Sequence, residues 1–155
     1  MKIEEEIKQS KFKNEFQKLQ INVLFTASWL NQRSTRLLKP YKISWQQFNI
    51  LRILRGRHPE PATVKVLASR MIDKTSNASR LVEKLRQKGY VERSECQEDR
   101  RRVDIILTDL GMKIVNQASE TMETELLRIT QISEEEAKTA SDILDSMRNG
   151  ETEIE

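Results

Sequence analysis

Apolar side chains recur at three- and four-residue steps near the start of the chain, at Phe12, Phe16, Leu19, Val23, Ala27 and Leu30. That spacing lines one face of a helix and predicts a long helix over about residues 6–38, closed by Pro40. Ser44 opens a second helix, because Ser44 and Gln47 can each accept the other's backbone N–H as a capping box. Trp45, Phe48, Leu51 and Leu54 supply its buried face, and Gly56 is the expected stop. After the loop His58–Ala62, Thr63 is an N-cap for a short third helix, VKVLASRM. A fourth helix is predicted from about Thr75 to Lys88, with Ala78, Leu81, Val82 and Leu85 inward. Gly89 then takes the left-handed position that other residues resist.

From there the period changes from helical to alternating. Tyr90–Arg93 and Val103–Leu107 read as two short strands, the second with Val103, Ile105 and Leu107 alternating against Asp104 and Ile106. Thr108 can cap a fifth helix carrying Val115, Ala118, Met122, Leu126 and Ile129. A capping box of Ser133 and Glu136 opens a last helix with Ala137, Ala140, Leu144 and Met147 inward. The fold class that results is mainly α with a small β-hairpin wing: a winged helix-turn-helix core between N- and C-terminal dimerisation helices. The expected division is 1–41 for the N-terminal dimerisation helix, 42–111 for the DNA-binding domain, 112–150 for the C-terminal dimerisation helices and 151–155 for a disordered tail. The length of the first helix motivates the dimer. About 33 residues at 1.5 Å each make roughly 50 Å, more apolar stripe than a small core can cover. A second copy joined through a two-fold interface is the simplest cover. A monomer with the long helix folded back on the last two is the alternative.

Composition narrows the picture further. Apolar residues make up 37% and charged residues 33% of the 155, and no apolar run approaches the ~20 residues a membrane helix needs. The opening MKIEEEIK is too charged for a secretory signal, so a cytoplasmic protein without membrane attachment is expected. Cys96 and His58 are the only cysteine and histidine, which excludes an intrachain disulfide and a structural zinc site. No cofactor is expected. Residues 1–61 hold 12 Lys/Arg against 5 Asp/Glu, residues 62–111 hold 11 against 8, and residues 112–155 hold 4 against 11. A basic body with an acidic last third suits a protein that meets phosphate on one side only.

The fourth helix and the hairpin after it hold the chemistry. Ser76, Asn77, Ser79, Arg80 and Lys84 lie mainly off the apolar stripe, towards the end that would enter a major groove. Asn77 and Arg80 are the candidates for paired hydrogen bonds to base edges. Thr63, Lys65, Lys74 and Thr75 flank this helix and are assigned to the DNA backbone. The hairpin tip carries Asp99, Arg100, Arg101 and Arg102. Three adjacent guanidinium groups at a turn repel one another unless phosphates or carboxylates offset them, and a narrow minor groove draws arginine in.

The run TVKVLASRMIDKTSNASRLVEKLRQKGYVERSECQEDRRRVDIILTDLG resembles the DNA-binding core of the MarR family, multiple antibiotic resistance regulators. The Asp99–Arg101 pair and the LTDLG of Leu107–Gly111 carry the likeness, which is strong over about residues 44–111. It implies a homodimeric repressor, less often an activator, on a pseudo-palindromic double-stranded operator. Arg101 would be the wing residue in the minor groove, positioned by Asp99. The resemblance also implies a small phenolic or lipophilic effector in a crevice, for which Trp29, Trp45 and Phe48 are candidate lining. Cys96 departs from the family's oxidant sensors, whose reactive cysteine sits near the first helix. A sequence-independent architectural DNA protein and a winged helix used for protein contact are the competing classes. An enzyme is disfavoured: the chain has no P-loop, no catalytic triad and no glycine-rich nucleotide fingerprint.

Overall fold

The computed structural model describes residues 1–95, 103–129 and 131–149. Packing divides the chain into two units, Met1–Met122 and Glu123–Glu155. The elements are α1 (Ile3–Glu6), α2 (Glu15–Leu38), a single 3-10 turn (Lys39–Tyr41), α3 (Trp45–Arg57), α4 (Val64–Arg70), α5 (Ala78–Gln87), β1 (Val91–Glu95), β2 (Val103–Leu107), α6 (Asp109–Ile129) and α7 (Glu134–Arg148). The fold is mainly helical with one antiparallel hairpin, as the periodicity indicated.

Several caps stand where the sequence placed them. Ser44 Oγ accepts the Gln47 N–H at 3.1 Å and Gln47 Oε1 accepts the Ser44 N–H at 3.1 Å. Thr63 Oγ1 caps α4 at 3.3 Å, and Gly89 takes φ +72° beyond the end of α5.

Other boundaries moved, each for a local reason. The long first helix is interrupted: α1 ends at Glu6, Lys8 adopts a left-handed φ of 53°, and α2 starts only after Asn14, whose side chain accepts the Gln17 N–H at 2.9 Å. Phe12 therefore precedes α2 rather than standing on it. Gly56 does not stop α3, which runs one residue past it to Arg57, since a single glycine weakens a helix by only about 1 kcal/mol. α5 begins at Ala78 rather than Thr75, because Asn77 caps it. β1 begins at Val91, since the Tyr90 N–H closes the end of the preceding helix by donating to Leu85 O at 3.0 Å.

The core of the first unit lies where α3, α5, the hairpin and the start of α6 meet. Leu38, Ile50, Leu51, Leu67, Val82, Leu85, Ile105 and Val115 are all fully buried there, each contributing about 1.5–3 kcal/mol by leaving water. Leu38 roots the last turn of α2 in this core. β1 and β2 pair with Arg93 opposite Ile105 and Val91 opposite Leu107. A rung not anticipated from sequence extends the sheet: Ala62 and Ile105 exchange N–H···O bonds of 3.0 and 2.8 Å, tying the loop after α3 to the wing. Gly111 permits a close approach, for a Cβ there would stand 1.9 Å from the Tyr90 carbonyl oxygen.

Away from this core the apolar stripe of α2 is open. Phe16 is 83% exposed, Leu19 and Leu30 are also exposed, and Leu24 beside the stripe is 64% exposed. In the second unit α7 has the anticipated capping box, with Ser133 N–H on Glu136 Oε2 at 2.7 Å. Its inward stripe is uncovered: Ala140, Leu144 and Met147 are exposed and only Ala137 is half-buried. The proposed tail, 151–155, lies outside the described residues.

Candidate nucleic-acid interface

The turn between α4 and α5 is built around one buried amide. Asn49 sits among Phe48, Ile50 and Leu51 in the middle of α3, and its Oδ1 accepts the Ile72 N–H at 2.9 Å. A polar side chain in such a place is retained when it satisfies a buried donor. Asp73 continues the turn, accepting the Thr75 N–H at 3.0 Å and the Thr75 hydroxyl at 2.6 Å. The Thr75 hydroxyl, then the Thr75 N–H and the Ser76 hydroxyl, hold the Asp73 carboxyl below the ordinary carboxylate range. Asn77 closes the sequence, its Oδ1 accepting the Arg80 N–H at 3.0 Å.

These contacts divide the candidate readers into two groups. Thr75, Ser76 and Asn77 are occupied in shaping the start of α5. Asn77 keeps its two amide donors, but a paired contact with adenine would also need the carbonyl oxygen that caps the helix. Ser79, Arg80 and Lys84 are exposed. With Ala78, Val82 and Leu85 buried, a period of 3.6 residues turns Arg80 and Lys84, one turn apart, away from the core. Among the described residues nothing pairs with the Arg80 guanidinium or the Lys84 ammonium.

The base of the wing is fastened to the same helix. Glu83 accepts two bonds from Arg86, at 2.8 and 3.1 Å, and one from Arg93 of β1 at 3.4 Å. Arg86 foremost keeps the Glu83 carboxyl low. The tip residues Asp99, Arg100, Arg101 and Arg102, and Cys96, lie outside the described residues. Of the flanking backbone candidates, Thr63 caps α4, Lys65 is exposed, and Lys74 Nζ donates to Ser69 O at 2.6 Å.

The three aromatic candidates do not gather in one place. Trp45 and Phe48 are neighbours on α3 with centroids 5.9 Å apart, and Phe48 is a core residue at 2% exposure. Trp29 stands on α2 under the Arg33 guanidinium, 5.6 Å from its ring. It lines a cleft of about 250 Å³ with Met1, Ile3, Glu6, Asn22, Phe25 and Thr26. Among the described residues no group of His, Cys, Asp and Glu could hold a metal ion, and no helix is long and apolar enough to cross a membrane.

Sequence reasoning missed Asn49. Its signal was a lone amide inside an apolar run. It also missed Glu83, whose i, i+3 partner Arg86 was visible but whose cross-link to Arg93 was not.

Known proteins resemble this chain in sequence and in fold. The profile of the MarR family matches residues 43–103. The HTH-type transcriptional regulator PecS of Dickeya dadantii is 34% identical over 122 residues, covering 76% of this chain and 73% of PecS. The organohalide-sensing transcriptional regulator RdhR, solved with 2,4-dichlorophenol bound, superposes with a TM-score of 0.78 at 22% identity, over 91% of this chain and 86% of that one. A MepR mutant of S. aureus bound to an oligodeoxyribonucleotide superposes with a TM-score of 0.57 at 23% identity, over 90% of this chain and 98% of that one. At these identities the two structures speak to fold alone.

Proposed function

This chain belongs to the MarR family of transcriptional regulators, and from that membership we propose that it works as a homodimeric, ligand-responsive repressor on a pseudo-palindromic operator. Proteins of the family bind DNA and are not enzymes. The observation that carries the reading is the pair Arg80 and Lys84: two cations without partners among the described residues, on the outward face of a helix whose start is rigidly capped. Such groups are held ready for an external acceptor. Arg80 donates to a guanine edge or a phosphate, Lys84 neutralises phosphate, and Ser79 with Lys65 and Lys74 tracks the backbone. In the wing, Arg101 enters the minor groove beside it, positioned by Asp99 and flanked by Arg100 and Arg102.

The exposed stripes of α2 and α7 support the dimer. Residues 1–41 and 112–150 form the two-fold interface, and 42–111 reads DNA. Two copies of α5 must then stand about 34–36 Å apart to enter successive major grooves. A phenolic or lipophilic effector that prefers another spacing lowers DNA affinity by its differential affinity for the two states. The dichlorophenol bound to RdhR makes chlorinated and hydroxylated phenols the first class to try. A regulator acting this way is placed in the cytoplasm, with the DNA.

The test is fluorescence anisotropy on a duplex enriched from a random library by the wild-type chain. Arg101→Ala is expected to weaken binding by roughly tenfold or more without loss of fold, and added phenols are expected to release the duplex. Unchanged affinity in Arg101→Ala removes the wing assignment. Equal affinity for random duplex in the wild type favours an architectural protein instead.

A further inference from the structure

We infer that the C-terminal end of α5 is a positioning node: Lys88 and Thr108 fasten the recognition helix to the roots of both α2 and α6, so that the setting of those helices fixes the angle at which α5 meets DNA. The inference rests on the reading of α5 as the helix that enters the groove.

One half of the node faces the connection from α2. Lys42 ends the 3-10 turn in a left-handed conformation, φ 55° and ψ 34°, which a lysine adopts at an energetic cost. Its carbonyl accepts from the Lys88 ammonium, which also reaches Gln47 Oε1 at 3.3 Å. That same oxygen caps α3 through the Ser44 N–H at 3.1 Å. One cation therefore joins the last turn of α5, the left-handed residue after α2 and the capping box of α3. Hydrogen bonds from an ammonium group are about twice as strong as neutral ones, so the join is stiff for its size.

The other half faces α6. The Thr108 hydroxyl donates to Gly89 O at 2.6 Å and accepts the Gly111 N–H at 3.0 Å, while the Thr108 N–H donates to Tyr90 O at 3.2 Å. The absence of a Cβ at Gly111 lets the first turn of α6 sit directly on the Tyr90 backbone. A third contact closes the circuit between the two roots: the Tyr41 hydroxyl, in the turn after α2, lies 2.6 Å from Thr121 Oγ1 and 3.2 Å from Gln117 O of α6. Lys88 thus donates to one side, Gly89 and Tyr90 accept from the other, and the two sides are bonded to each other.

The front of α5 is held differently. Asn77 bonds within its own turn, Asp73 bonds within that turn and to the Gln46 side chain of α3, and Asn49 fixes Ile72 from α3. None of these reaches α2 or α6. A change in how α2 and α6 are set is delivered to the rear of the recognition helix, and its outward face swings with it. Lys88 and Thr108 are positioning residues in this scheme; neither touches DNA.

The experiment measures affinity for the library-selected duplex, affinity for a random duplex, and the salt dependence of both, in full-length variants whose folding is followed by circular dichroism. Lys88→Met and Thr108→Val are each expected to weaken the selected duplex by roughly tenfold, on the scale of one misaligned base contact. Random-duplex affinity and salt slope should stay at wild-type values, because no phosphate contact is lost. Thr108→Ser keeps the hydroxyl and should restore the selectivity that Thr108→Val loses. Three results overturn the node: unchanged selectivity in both variants, equal affinities of Thr108→Val and Thr108→Ser, or a Lys88→Met salt slope smaller by about one with both DNAs weakened, which makes Lys88 a phosphate ligand. If Lys88→Met fails to fold, the Thr108 pair decides alone. Arg80→Ala is the reference, and if it too leaves selectivity intact, the groove reading itself falls.

Discussion

Leu85 and Leu24 are the same side chain on two amphipathic helices, yet Leu85 is fully buried and Leu24, beside the apolar stripe of α2, is 64% exposed. The first sits on α5, within a lobe whose α3, α5, hairpin and α6 start seal one another. The second sits on α2, whose stripe meets water along most of its length until Leu38 anchors it. α7 in the second unit repeats the pattern, with Ile143, Leu144 and Met147 all exposed. Apolar residues on an ordered helix are expected to be covered by something, and contiguous exposed ones mark contact sites. The lobe carries its own cover; the flanking helices wait for theirs. On the proposed reading, the candidate recognition residues rest on a lobe with its own cover, while a partner copy would supply the cover for the flanking helices.

The largest expected effect comes from attacking the uncovered region. Phe16→Glu with Leu24→Glu should leave a monomer in sedimentation and lower affinity for a selected duplex about a thousandfold or more, because one half-site is lost. Hydrogen exchange at Leu85 and Ile105 should stay protected in that monomer. Loss of protection there would show that the lobe is not self-sufficient.

Next is the contrast between the two leucines. Leu85→Ala should cost about 2–5 kcal/mol in denaturant unfolding, the range for a fully buried leucine. Leu24→Ala should instead show a stability loss that shrinks as protein concentration falls, because dilution removes the partner from both proteins. A concentration-independent loss at Leu24 would place its cover within the chain.

Arg80→Ala should separate function from fold within the lobe. Binding to a selected duplex is expected to weaken by about 1–3 kcal/mol with an unchanged melting temperature, since no internal contact is removed. A matching drop in melting temperature would assign Arg80 to the scaffold.

The smallest effect concerns acid. The Asp73 carboxyl is depressed in the folded chain by the Thr75 hydroxyl first, then the Thr75 N–H and the Ser76 hydroxyl. A depressed acid contributes stability above its unfolded pKa and loses it as pH falls through the folded one. The turn before α5 should loosen only in that acid range, followed by nuclear magnetic resonance of the Thr75 and Ser76 amides. Asp73→Asn should flatten this part of the titration; an unaltered acid limb would remove Asp73 from the turn.

Much of the chain was legible because its signals are local. Ser44 with Gln47, Thr63, Gly89, and Ser133 with Glu136 each announce a boundary within a few residues, and each stands where the spacing put it. Where two local signals competed, reading the chain was less secure. The stripe through Phe12 suggested a helix that Asn14 in fact postpones, and at Asn77 a capping signal coincides with the groove-contact signal, its Oδ1 being taken by the cap. The features hardest to see join distant positions. Lys88 looked like an ordinary cation at a helix end, and nothing near it announces Lys42. Thr108 signalled a helix start, but its donation to Gly89 crosses 19 positions of sequence. Such contacts depend on how elements pack, which periodicity does not encode.

The central claim is that two copies of one helix read DNA together. Enrichment of a random duplex library by the wild-type chain, followed by sequencing, tests it most directly. An inverted repeat with half-site centres about 10 base pairs apart, or one further turn, is the expected product. A pool that stays random, or one that converges on a single unpaired half-site, would contradict it.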